Sequence, residues 1–157
     1  MTGMREEAES AVAPLIESDE PQLYEQLGIR VAAIEQRPEI AGSFDPSIVF
    51  DEVAMGPLDS VRELGRRIFQ RWERSAFDLV CGTILTDEGD RKSLADAFGI
   101  NSTAAAALMA TLLVSQFGVA PAIAAVIAAI IVKRFFRPAY QEFCTFWSER
   151  ITIPPTK

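Results

Sequence analysis

The chain contains no histidine. That removes imidazole general bases, Ser–His and Cys–His nucleophile pairs, and imidazole metal ligands. The side chains left for chemistry are carboxylates, two thiols and a set of arginines. Asp45, Asp51 and Glu52 fall in a stretch punctuated by Pro and Gly, and a second acidic knot runs from Asp87 to Asp90. A calcium loop needs alternating oxygen ligands and a distal bidentate glutamate. Neither stretch has that spacing, so these acids read as solvated and no metal site is expected. Cys81 stands in Leu-Val-Cys-Gly and Cys144 in Glu-Phe-Cys-Thr-Phe. Two isolated thiols with apolar neighbours read as small core residues, rather than as reactive groups or a disulfide. No Gly-rich phosphate loop is present either. No cofactor and no enzymatic activity are expected.

The arginines are better organised. Between Pro57 and Val80, the apolar residues Leu58, Val61, Leu64, Ile68, Trp72, Ala76 and Leu79 recur every three or four positions, which predicts an amphipathic helix. Its outer face carries Arg62, Arg66, Arg67, Arg71 and Arg74, relieved by Glu63, Glu73 and Asp78. Internal ion pairs such as Glu63 with Arg67 would make this an ordinary solvated face. Otherwise it is a candidate contact for the acidic N-terminal third, an acidic partner or an anionic lipid.

The net charge of −7 conceals a gradient: residues 1–55 hold 12 acids against 3 bases, and residues 101–157 hold 2 against 5. An acidic front disfavours general nucleic-acid binding, which depends on concentrated positive charge. The opening residues lack the layout of a signal peptide. With the thiols read as free, a cytoplasmic protein is the expectation.

The element that must position all of this is the stretch from Asn101 to Val132, which holds no charged residue. Asn101 or Ser102 can cap a helix, Gly118 can end it, and Pro121 suits the first turn of the next. Two helices are therefore predicted, about 103–117 and 121–137, folded back as a hairpin. Ala120, Ala124 and Ala128 form a ladder of small residues on the second arm, beside a stripe that includes Ile127. Small side chains let another helix approach closely. A helix apolar all round must be buried all round, in protein or in lipid. Lys133, Arg134 and Arg137 close the second arm, where cations suit a helix C-terminus. The final helix, about 138–150, places Tyr140, Phe143 and Trp147 on one side and Phe146 with Arg150 on another.

Around the hairpin the pattern predicts short helices. The first, over 4–17, stops or kinks at Pro14. Asp19 caps a second that ends at Gly28, and a third runs from Ile29 to Gln36. An ordered irregular connection follows over 38–57, with an extended piece near 47–50. One more helix spans about Arg91 to Phe98.

The expected fold is an all-α small helical bundle around a central hydrophobic hairpin. Residues 1–18 form an acidic amphipathic arm, 19–150 a single helical domain, and 151–157 a flexible tail. In layout this resembles pore-forming colicin domains, where a nonpolar hairpin is shielded in the soluble form; the likeness is physical, with no shared motif. Two functions fit. The first is a non-enzymatic adaptor, scaffold or oligomerising subunit acting through a protein partner or self-association. The alternative is a membrane-inserting or pore-forming protein, associated with the inner membrane. Candidate contacts for either are the five arginines above, Ala120, Ala124, Ile127, Ala128, Lys133, Arg134, Arg137, Phe146 and Trp147.

Overall fold

A computed structural model describes residues 2–46, 58–82, 88–137 and 139–151. They form seven α-helices and one 3-10 turn, with no strand among the described residues. The helices are α1 (Thr2–Glu17), α2 (Glu20–Gln36), α3 (Leu58–Cys81), α4 (Glu88–Ile100), α5 (Ser102–Phe117), α6 (Pro121–Phe135) and α7 (Tyr140–Ile151), and the 3-10 turn (Pro38–Gly42) follows α2. The expected extended piece at 47–50, the carboxylates Asp51, Glu52 and Asp87, and the tail 152–157 lie outside the described residues.

The hairpin of α5 and α6 is the centre of the bundle. Asn101 accepts a hydrogen bond from the Ala104 N–H at 2.8 Å and so caps α5. Gly118 closes that helix in the left-handed conformation, φ 69°. Its N–H bonds the Val114 carbonyl, and the next N–H, of Val119, reaches back to Leu113 at 3.3 Å. Buried Val119 then anchors the turn into α6. Every residue from Ala122 to Val132 is buried, as are Ala104 to Ala110. α1 packs across both arms, α2 against α6, α4 against α5, and α7 against α3, α4 and α6. Water exclusion on this scale is the main stabilising term, at roughly 1.5–3 kcal/mol for each large aliphatic side chain fully buried.

Three departures from the sequence reading have clear physical causes. Pro14 does not stop α1; the helix runs through to Glu17. Pro14 and Ser10 both face outward, so the carbonyl that loses its helical partner stays accessible to solvent. Gly28 does not end a helix: α2 continues to Gln36, absorbing the expected third helix. The glycine serves a close crossing instead. A Cβ on Gly28 would meet the Val61 carbonyl oxygen of α3, and one on Gly65 would meet the Tyr24 carbonyl oxygen of α2. The paired glycines let these two backbones touch.

The third departure is the thiols. Cys81, at the end of α3, and Cys144, in α7, form a disulfide with sulfurs 2.06 Å apart. Sixty-three positions separate them, a distance across which a single sequence gives no sign of pairing. The bond closes a loop that contains α4 and the whole hairpin. A stable disulfide is a feature of oxidising compartments and is rare in a reducing cytosol.

Two outcomes test this packing. Gly65→Ala should destabilise the protein by roughly 1–3 kcal/mol, the usual result of overpacking. Gly99→Ala, where a Cβ meets nothing within 4 Å, should leave stability unchanged or raise it by up to about 1 kcal/mol; urea unfolding of both variants checks the contrast. Replacing both cysteines by serine should lower stability by about 4 kcal/mol on the chain-entropy estimate for a loop of this length, read as a fall in melting temperature that reductant reproduces in the native chain.

Candidate functional site

The residues available for contact are those the architecture has not already used. α3 is the most strongly amphipathic helix, and its arginines divide by partner. Arg62 is fixed to Glu25 of α2 at 2.5 Å and also meets Asp59 at 3.4 Å; the Glu25 hydrogen bond raises its pKa above the ordinary guanidinium value. Arg66 pairs with Glu63 and lies over the Tyr24 ring, 5.0 Å from its centroid. Arg74 pairs with Asp78 at 3.3 Å. Arg67 and Arg71, one helical turn apart, are exposed and have no ion-pair partner among the described residues. The expected Glu63–Arg67 pair is replaced by Glu63–Arg66.

At the far end of the hairpin the cations serve as seams. Lys133 donates to the Ile16 carbonyl at 3.0 Å, joining the end of α1 to the end of α6. Arg134 pairs with Glu20 at 3.2 Å and donates to the Tyr24 hydroxyl at 3.3 Å. Burial pushes the Tyr24 phenol up to about 12, with Arg134 pulling the other way. Arg137 lies over the Phe146 ring at 4.0 Å. Trp147 is wholly buried and donates its indole N–H to Glu73 at 3.1 Å, between α7 and α3. Phe146 is half-buried.

Ala124, Ile127 and Ala128 are fully buried inside the bundle. Ala120 is half-buried at the N-cap of α6, with no side-chain cap. Apart from half-buried Ala120, the small-residue ladder therefore packs within the monomer.

Arg30 is a residue the sequence reading missed. It is 3% exposed, the buried charged residue among those described. Its guanidinium donates at 2.9 Å to the carbonyls of Phe44 and of Ala122, in the first turn of α6. Gln26 and Asp45 complete its surroundings at 3.3 and 3.7 Å. Burial lowers its pKa to about 10, against the pull of Asp45. Asp45, read from sequence as a solvated acid, is exposed but serves this arginine. The arrangement is a structural pin joining α2, the segment after the 3-10 turn, and the hairpin. No periodicity marks it, because its partners are main-chain carbonyls.

Of the surface depressions on the described residues, two bear on the charged residues above. One, of about 600 Å³, lies between α1 and the segment after the 3-10 turn, with Glu6, Glu7 and Asp45 in its lining. The other, of about 270 Å³, is lined by Glu20, Lys133, Arg134, Phe135, Phe146 and Arg150. Among the described residues there is no cluster of three or more His, Cys, Asp or Glu that could hold a metal ion. No helix among them is long and apolar enough to cross a membrane. Ile100, 66% exposed, is the large hydrophobic side chain that stands out from the described surface. Compared with protein-family models, curated proteins and solved structures, the chain matches none.

Proposed function

We propose that this is a non-enzymatic helical module that works by association with an acidic protein partner, with the hairpin as its rigid core. The observation that carries this reading is the division of the α3 arginines. Three are engaged within the fold, while Arg67 and Arg71 project side by side with no ion-pair partner among the described residues. Two adjacent guanidiniums with free planar donor faces suit paired carboxylates, which accept bidentate hydrogen bonds. The described surface is otherwise poor in exposed large apolar side chains, so the contact is electrostatic and sensitive to salt.

The double charge reversal R67E/R71E tests it. Both side chains are exposed, so the melting temperature should hold. A stoichiometric complex recovered with the native chain from its source cells should be lost in the variant, and should weaken as salt is raised. Recovery of a complex equally well by native chain and variant overturns the reading, as does partition of nearly all the protein into the membrane pellet.

A second reading is favoured by the enclosure of an uncharged hairpin with cations at its open end: insertion of that hairpin into a bilayer. Its longer arm is about 24 Å by helical rise, against a hydrocarbon core of about 30 Å, so it would enter the bilayer rather than cross it. Aspartate at Ala124 or Ile127 is a poor probe, since a charge buried there would unfold the bundle in any case. Ala120→Asp is the informative change. At the N-cap of α6 an aspartate should hold or raise stability, by about 1 kcal/mol, while placing a charge at the leading tip. Dye release from anionic vesicles should then occur with the native chain and cease with Ala120→Asp. No release by the native chain, or undiminished release by the variant, excludes tip-first insertion.

A further inference from the structure

The 270 Å³ depression at the open end of the hairpin gathers more positive charge than the helix terminus beside it requires. Lys133 and Arg134 suit the carbonyl-rich end of α6. Arg150 does not come from that helix; α7 delivers it to the same place. Its guanidinium lies 4.6 Å from the Phe146 centroid and that of Arg137 lies 4.0 Å from it. Stacking on one ring holds two long side chains with little conformational freedom left to lose on binding.

Most of the donors are free. Glu20 is the carboxylate in the lining, and it already accepts from Arg134 and from the Tyr24 hydroxyl, the latter at 3.1 Å. Lys133 uses one N–H on the Ile16 carbonyl and keeps two. Arg150 has no anionic partner among the described residues. Three cationic side chains against one engaged carboxylate leave the depression with a positive excess, with Phe135 and Phe146 also in its lining.

We propose that this depression binds a phosphate group carried as a phosphomonoester. Such a group offers three oxygens and close to two negative charges, which matches converging guanidinium and ammonium donors better than a lone carboxylate does. Neither Arg67 nor Arg71 lines the depression, so it stands or falls independently of the acidic-partner reading.

The test uses the full chain, with its disulfide intact, and two probes. In the first arm, inorganic pyrophosphate is titrated while the arginine Nε–H signals are followed by NMR. Saturable shifts are expected at Arg134 and Arg150, with none at Arg67 or Arg71. In the second arm the protein is sedimented with phosphatidylcholine vesicles, with and without phosphatidic acid. Binding competed by pyrophosphate identifies a lipid headgroup as the source of the phosphate; pyrophosphate binding without vesicle binding identifies a diffusible compound. Either supports the site. Arg150→Gln and Lys133→Gln should each weaken binding by about tenfold or more, the usual consequence of losing one hydrogen bond to a charged group. Arg150→Gln should do so at unchanged melting temperature, while Lys133→Gln should also lower it slightly, because the bond to the Ile16 carbonyl is lost. R67E/R71E should bind as the native chain does. The absence of saturable binding in both arms overturns the proposal, as does equal affinity in both single variants.

Discussion

Water is kept from the side chains of Ala104–Ala110 and Ala122–Val132 on every side, and the outer helices are arranged to achieve that. A hairpin with an apolar surface all round cannot sit at the edge of a small protein; it must be wrapped. The wrapping helices need one apolar stripe each, and α1 supplies the lightest version with Ala8, Ala11, Val12 and Leu15. Alanine-rich arms have narrow profiles, so neighbours lie close and the core is thin. The same economy recurs outside, where Gly28 and Gly65 bring α2 onto α3.

Burial alone gives cohesion without direction, and the direction comes from a few polar and covalent ties at the seams. Arg30 joins α2 to the first turn of α6 through main-chain carbonyls. Lys133 joins α6 to the end of α1, and Arg134 joins it to α2 through Glu20 and Tyr24. Trp147 and the disulfide hold α7 to α3. Stacked rings of Phe98, Phe136, Phe135 and Trp147 fill the wedge between α4, α7 and the end of α6. Arg30 and the Trp147 indole are groups that would be expensive to leave buried and unpaired, so the contacts that satisfy them also fix the register of the helices.

Local rules were sufficient wherever the cause of a feature lies within a few residues. Asn101, Gly118, Pro121 and the Asp19 cap are read from neighbours in the chain, and the hairpin follows from the first three; the structure completes the Asp19 cap with Gln22 as a capping box. The failures share the opposite property. A glycine inside an apolar pattern signals either a helix end or a close approach, and Gly28 needs Val61, far along the chain, to decide between them. Cys81 and Cys144 are isolated in sequence and adjacent in space. Arg30 looks like any surface arginine until the carbonyls of Phe44 and Ala122 are in place around it. The candidate contacts divide for the same reason: the strip on α3 is legible as a pattern, but which of its members are engaged depends on Glu25, Glu63 and Asp78.

The disposition of the ties also separates the two functional readings in physical terms. An association module keeps every seam closed and uses what projects from it. Insertion requires the hairpin to leave, and the seams differ in how they resist that. Among the described residues, α1 is held by the stripe of Ala8, Ala11, Val12 and Leu15 and by the Lys133 bond to the Ile16 carbonyl. Both yield without breaking a covalent bond. The α3–α7 seam is covalent, and because its loop contains the hairpin, α5 and α6 can swing away while α3 and α7 stay joined. Displacement of α1 would uncover part of both arms without breaking a covalent bond, with Arg30 and the glycine crossing keeping α2 and α3 in place. That route would move the acidic arm away from the cations at the open end and leave Arg137 and Arg150 on Phe146 and Arg134 on Phe135. The two states would thus share one cationic end while differing in whether the arms are covered.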